Sequence, residues 1–143
     1  KHDFVVKLDV DAVFFAFRLP WVAKPWRNKP VVFATCPNGK LWGSIEVLSR
    51  PALARYAANL NLAGRKDDEP AIPEQCKHMN WWCWGEDEYI QECMKALGVP
   101  SVFQSQLVAT SCNGGNCQDQ HVAYHKFADV WAQEQCIKMA GQW

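Results

Sequence analysis

The sequence predicts an α+β fold: a small mixed or antiparallel sheet with a hairpin and a helix, followed by a Cys-rich, mainly helical layer. Three observations carry this. Two β-branched runs, residues 29–36 and 41–48, flank an Asn-Gly pair, the strongest short hairpin signal. Two later stretches, opening at Ser49 and Glu86, combine helix-start residues with apolar residues at helical spacing. Six of the seven cysteines lie after residue 75, so the second half has a different chemistry from the first. A chain of 143 residues, 49% hydrophobic and 21% charged, is long enough to bury a real core.

Residues 3–10, DFVVKLDV, alternate and are rich in β-branched side chains, so they read as a strand. Residues 11–19 either continue that strand or form a short helix capped by Asp11. Pro20 and Pro25 break the chain between residue 19 and the second strand. That strand is residues 29–36, PNGK turns the chain, and residues 41–48 return antiparallel. Ser49 is a good N-cap, and Pro51 fits the first helical turn, where its missing N–H has no partner to lose. Leu53, Tyr56, Ala57 and Leu60 form one apolar face, and Gly64 stops the helix.

Residues 65–75 are charged and proline-broken. They read as a linker between a strand–hairpin–helix unit, 1–64, and a Cys-rich helical region, 76–143, that packs on it. In that region Glu86, Asp87 and Glu88 open a helix where its dipole favours acids, with Ile90, Cys93, Met94 and Leu97 as the apolar face. Gly98 and Pro100 end it, and residues 101–110 are a strand or extended segment. From Gln118 a last helix, capped by Asn116 or Asp119, is expected to run towards Ala140 with Tyr124, Phe127, Ala128 and Trp131 on one side.

Charge narrows the partners. Fifteen basic and fifteen acidic residues cancel, which argues against broad binding to nucleic acid or membrane. The longest apolar run, residues 12–17, is far below the ~18–20 residues of a membrane span. No charged-then-apolar leader opens the sequence, and its start at Lys1 reads as a processed or internal one. A neutral chain with eight Trp and seven Phe suggests a partner surface. NWWCW, residues 80–84, concentrates it: three indoles in four residues cannot all face one core. Trp81, Trp82 and Trp84 are therefore candidate binding residues for a protein partner, a sugar or a pigment; the alternative is a loop folding its indoles over the core.

The cysteines imply a disulfide framework in an oxidising compartment, whether secreted, luminal or organellar. Cys76, Cys83, Cys93, Cys112, Cys117 and Cys136 are the candidates, with connectivity open. Cys36, alone in an apolar run, reads as the free buried thiol. Cys112 and Cys117 flank Gly114 and Gly115 and bridge each other across that loop, or else reach Cys83, Cys93 or Cys136. The competing reading is a zinc site of Cys112, Cys117, His121 and His125. If the helix begins at Cys117, that thiol stands about 12 Å along the axis from His125, too far for ~2.0–2.3 Å bonds to one ion. The disulfide reading leads, and no cofactor is expected.

Four resemblances bear on function. Residues 4–63 resemble the C-terminal half of the thioredoxin fold: VVKLDVD its third strand, KPVVF the strand after its cis-proline, NGK its hairpin turn, LSRPALARYAANLNLA its last helix. That resemblance places Pro30 at the cis-proline position and, with no Cys-x-x-Cys, implies no dithiol chemistry. LDVDAVFFAF and NKPVVF resemble the start of Y-family DNA polymerases. There Asp9 and Asp11 would be metal-binding carboxylates, with Asp87 and Glu88 of GEDEYIQE echoing the second acidic motif and two Mg²⁺ clamping the reacting oxygens. WCWG and SQLVATSCNGGN resemble patches of papain-like cysteine proteases, with Cys83 at the nucleophile; no histidine lies far enough downstream to serve as base. Cys83-x9-Cys93 resembles half of a twin-Cys helical hairpin.

Together these features favour a non-catalytic binding or assembly protein, an accessory subunit stabilised by disulfides. The alternative is a metal-dependent hydrolase or phosphoryl-transfer enzyme using Asp9, Asp11 and Glu88.

Overall fold

A computed structural model describes residues 2–60, 62, 70–80, 82–110, 112 and 114–141. The α+β class holds, built on two small sheets. In the first, β1 (Phe4–Leu8) runs antiparallel to β4 (Ile45–Ser49), from Phe4↔Ser49 to Leu8↔Ile45. β3 (Val32–Ala34) pairs antiparallel with β4 and parallel with β5 (Ser101–Phe103). The second sheet has β7 (Ala123–His125) between β2 (Ala12–Phe14), antiparallel, and β6 (Val108–Ala109), parallel. Each sheet takes strands from both sides of residues 65–75; of that expected linker, residues 65–69 lie outside the described residues.

Strand alternation stacks these pieces into layers. Phe33, Ile45 and Val47 point from the first sheet into a core shared with Val22, Ala23, Val108 and Ala123. Their neighbours Val32 and Leu48 point the other way, onto Leu41, Ala52, Met94 and Val99. Val13, Ala109 and Tyr124 leave the far face of the second sheet and meet Cys136 and Ala140. The order through the molecule is therefore two helices, first sheet, second sheet with a short helix, last helix.

The helices show why each begins where it does. α1 (Leu19–Ala23) and the 3₁₀ turn Lys24–Trp26 each carry proline in the first turn, so Pro20 and Pro25 start short helices rather than breaking the chain. α2 (Arg50–Ala58) is capped by Ser49, whose Oγ accepts from Ala52 N–H and donates to Lys29 O at 2.7 Å. Its buried side is Ala52 with Leu53 and Tyr56; Ala57 is exposed. Gly64 lies outside the described residues. α3 (Glu86–Ala96) buries Cys93 and Met94 and packs Ile90 and Leu97, as its spacing predicts. The expected hairpin turn is present, with Gly39 at φ +82° donating to Cys36 O. Among the described residues no peptide bond is cis, that of Pro30 included.

The last helix differs from the sequence expectation. α4 (Val130–Ala140) starts twelve residues after Gln118 and is capped by Asp129, not Asn116 or Asp119. Tyr124 lies in β7, where β2 and β6 supply backbone partners that the local sequence does not reveal.

Three disulfides form: Cys36–Cys112, Cys76–Cys93 and Cys117–Cys136. Cys36 is thus not the free thiol; its partner closes the loop after β6, so this bridge links the two sheets. Cys83, expected in the framework, is exposed and unpaired, and Cys112 and Cys117 do not bridge each other. These bonds point to an oxidising environment. No described helix is long and apolar enough to cross a membrane.

Arg18, 1% exposed, ties the second sheet to α4. It donates to His121 O at 2.8 Å, to Tyr124 Oη at 3.1 Å and to Ala140 O, while its guanidinium lies 4.4 Å from the Phe15 ring centre.

Candidate functional site

Two surface features draw on residues singled out in the sequence. The first is the tryptophan turn. Asn80 O accepts from the N–H groups of Cys83 and Trp84, which closes a turn directly before α3. It leaves Trp82 66% exposed and the Cys83 thiol exposed beside it. Trp84 is half-buried and lines a cleft of about 380 Å³ with Tyr56, Pro70, Ala71, Ile72, Glu86 and Tyr89. Trp81 lies outside the described residues.

Tyr89 sets the chemistry of the cleft. Its hydroxyl is buried, and burial together with the neighbouring Tyr56 pushes its pKa up to about 12. Tyr56 is raised too, by burial, and its hydroxyl reaches Ala71 O at 3.4 Å. Both phenols therefore remain neutral donors at physiological pH. The sequence pattern marks Tyr56 as core and does not pair it with Trp84 or Tyr89, because they meet only once α2 and α3 pack on the same sheet face.

The rim beside the cleft is acidic. Lys7 leaves β1 towards α3 and forms ion pairs with Glu46, at 2.7 Å, and with Glu86. Burial pulls the Lys7 pKa down, but the two carboxylates outweigh it and raise it. Burial holds Glu46 above the usual carboxylate range despite Lys7, whereas Lys7 pulls Glu86 below it. Asp87 accepts from Gly43 N–H at 2.9 Å, and Gln91 accepts from Leu41 N–H at 2.8 Å, so the loop before β4 is fastened to α3.

The second feature is the turn after β1. Asp9 O accepts from Ala12 N–H, and Val10, between the two acids, is 98% exposed. Ala12 pairs with His125 across the second sheet, which carries that imidazole to the turn. His125 Nε2 lies 3.0 Å from Asp11 Oδ1 and 3.5 Å from Asp9 Oδ2. Among the described residues this is the cluster with metal-ligand spacing; Glu88, in the first turn of α3, does not belong to it. The catalytic set Asp9, Asp11 and Glu88 is therefore not assembled as the sequence suggests.

The predicted zinc set is dispersed as well. Cys112 and Cys117 are consumed by different disulfides, and His121 and His125 share no helix face. His121 Nδ1 instead contacts Asp119 Oδ1 at 2.5 Å, and its Nε2 contacts Ser105 O at 3.0 Å. Asp119 also accepts from Asn116 N–H, His121 N–H and Tyr124 Oη. Burial raises the Asp119 pKa, but the bonds from His121, Asn116 and Tyr124 outweigh it and leave the carboxyl below its usual range. Gly114 and Gly115 both have positive φ, so the loop between the two disulfides turns where side chains fit poorly.

Scans against protein-family models, curated proteins and solved structures find no match for this chain.

Proposed function

We propose that this chain is a disulfide-stabilised, non-catalytic binding protein of a secreted, luminal or organellar complex, and that its contact face is the 82–84 turn with the adjoining aromatic cleft. The observation that carries this reading is Trp82, 66% exposed beside a cleft lined by Tyr56, Ile72, Trp84 and Tyr89. Large aromatic side chains next to a preformed apolar cleft are the groups that dominate protein–protein binding energy. The Cys76–Cys93 disulfide supports it, because it ties α3 to the segment that precedes the turn and so limits the ordering cost on binding. Glu86 on the rim, with Asp87 and Glu88 behind it, favours a partner segment that carries an apolar or aromatic anchor flanked by basic residues.

The test is site-directed photocrosslinking in the chain's own compartment. A benzophenone amino acid at position 82 should trap a discrete partner, and Trp84→Ala should abolish the adduct. The same probe at exposed Lys138, on α4, should trap none. Equal trapping at both positions, or an adduct unaffected by Trp84→Ala, removes the reading.

A further inference from the structure

We propose that Asp9, Asp11 and His125 bind a single first-row divalent cation, zinc or manganese. This goes beyond the partner-binding reading and uses a different part of the surface. The three ligating atoms lie within 4.8 Å of one another. Metal–ligand bonds of ~2.0–2.2 Å put neighbouring ligands about 2.8–3.6 Å apart, from octahedral to tetrahedral geometry. The His125 Nε2 separations of 3.0 Å from Asp11 and 3.5 Å from Asp9 fall within that range.

Charge and rigidity agree with the distances. Among the described residues, the ion pairs of Asp9 and Asp11 run to His125 alone, so no lysine or arginine neutralises the two carboxylates. The backbone beneath them is pinned from four sides. Asp9 N–H donates to Ser44 O, Ala12 N–H to Asp9 O, Phe127 N–H to Asp11 O, and Gln133 Nε2 to Val10 O. The imidazole is held by β7 and is largely buried, while the carboxylates are about two-fifths exposed, which leaves a path for an ion. A preorganised set of this kind binds without refolding the chain.

Ligand chemistry chooses the ion. One imidazole with two carboxylates suits zinc or manganese, whereas magnesium and calcium prefer oxygen alone. Three protein ligands leave at least one position for water. A cleft of about 160 Å³ lined by Trp42, Thr110 and Lys126 reaches His125.

The test is calorimetric titration of metal-stripped, disulfide-intact Cys83→Ser protein, which lacks the exposed thiol. The titrants are ZnCl₂ and MnCl₂, with MgCl₂ and CaCl₂ as hard-cation arms. One equivalent of zinc or manganese should bind and raise the melting temperature, and Asp11→Asn and His125→Gln should each weaken binding at least tenfold. ¹⁵N spectra of the parent protein should show the His125 Nε2 resonance moving with zinc, a readout that does not depend on either variant folding. No binding, binding unchanged in His125→Gln, or tighter binding of calcium than of zinc and manganese would overturn the proposal.

Discussion

Removing the bridge that joins the two sheets should destabilise the protein more than removing a short-loop bridge. A disulfide acts largely by deleting conformations from the unfolded chain, and that term grows as 1.5RT ln n with loop length n. The bridges have sequence separations of 76, 17 and 19. At 25 °C the corresponding terms are about 4.5 kcal/mol for Cys36–Cys112 and about 3.2–3.3 kcal/mol for the other two. Cys76–Cys93 lies within the long loop and shortens it to about 60 residues, which lowers the first figure to about 4.3 kcal/mol. The cleanest comparison is with Cys117–Cys136, since each of these two pairs has one buried and one half-buried sulfur. Packing losses then cancel, and a difference of about 1 kcal/mol remains. Urea unfolding without reductant reads it directly: at an m-value of about 2 kcal/mol/M, Cys36→Ala/Cys112→Ala should lower the midpoint by about 2 M, and Cys117→Ala/Cys136→Ala by about 0.5 M less. The m-value should also rise most for the first variant, because its unfolded state expands most. An equal or larger loss from the Cys117–Cys136 pair would refute the argument.

Further outcomes concern Asp119 and the thiol count. The Asp119 pKa is depressed in the fold, so its stabilisation is present above the unfolded value and is lost as pH falls through the folded one. Asp119→Asn should therefore cost about 1 kcal/mol at pH 7, the partial exposure of this carboxylate limiting the figure, with the difference from the parent narrowing below about pH 4. Urea midpoints at pH 7 and pH 3 measure it, and a difference that does not change with pH contradicts the carboxylate's role. Iodoacetamide should add one group to the unreduced protein, at Cys83, and seven after reduction and unfolding. Intact mass reads both numbers, and seven adducts without reduction would be incompatible with the three bridges.

The parts of the fold legible in the sequence are those fixed by near neighbours. Ser49 caps α2 through an oxygen three residues from the N–H it accepts, and the α3 face is a matter of spacing within eleven residues. Cys36 reads as a free thiol because its partner lies 76 positions away, and an apolar strand end looks the same with or without one. The segment after Gln118 reads as a helix for a related reason. Tyr124, Phe127, Ala128 and Trp131 have helical spacing by coincidence, and three-residue β7 exists only because β2 and β6 hold it on either side. The candidate sites show the same division. Asp9 and Asp11 stand out as neighbours in sequence, but His125 joins them through the Ala12↔His125 register, and Tyr89 reaches Trp84 and Tyr56 by tertiary packing.

The way strands are shared between the sheets has a consequence for how the molecule assembles in time. The register Ala12↔His125 closes a loop of about 110 residues, and β3 waits for β5 across about 70. Neither sheet can be completed from the first sixty residues alone, so an N-terminal piece presents open β3 and β2 edges until residues 101–125 arrive. Maturation should be slow, all-or-none and dependent on late thiol oxidation, with Cys36–Cys112 unable to form natively before β3 and β5 have met.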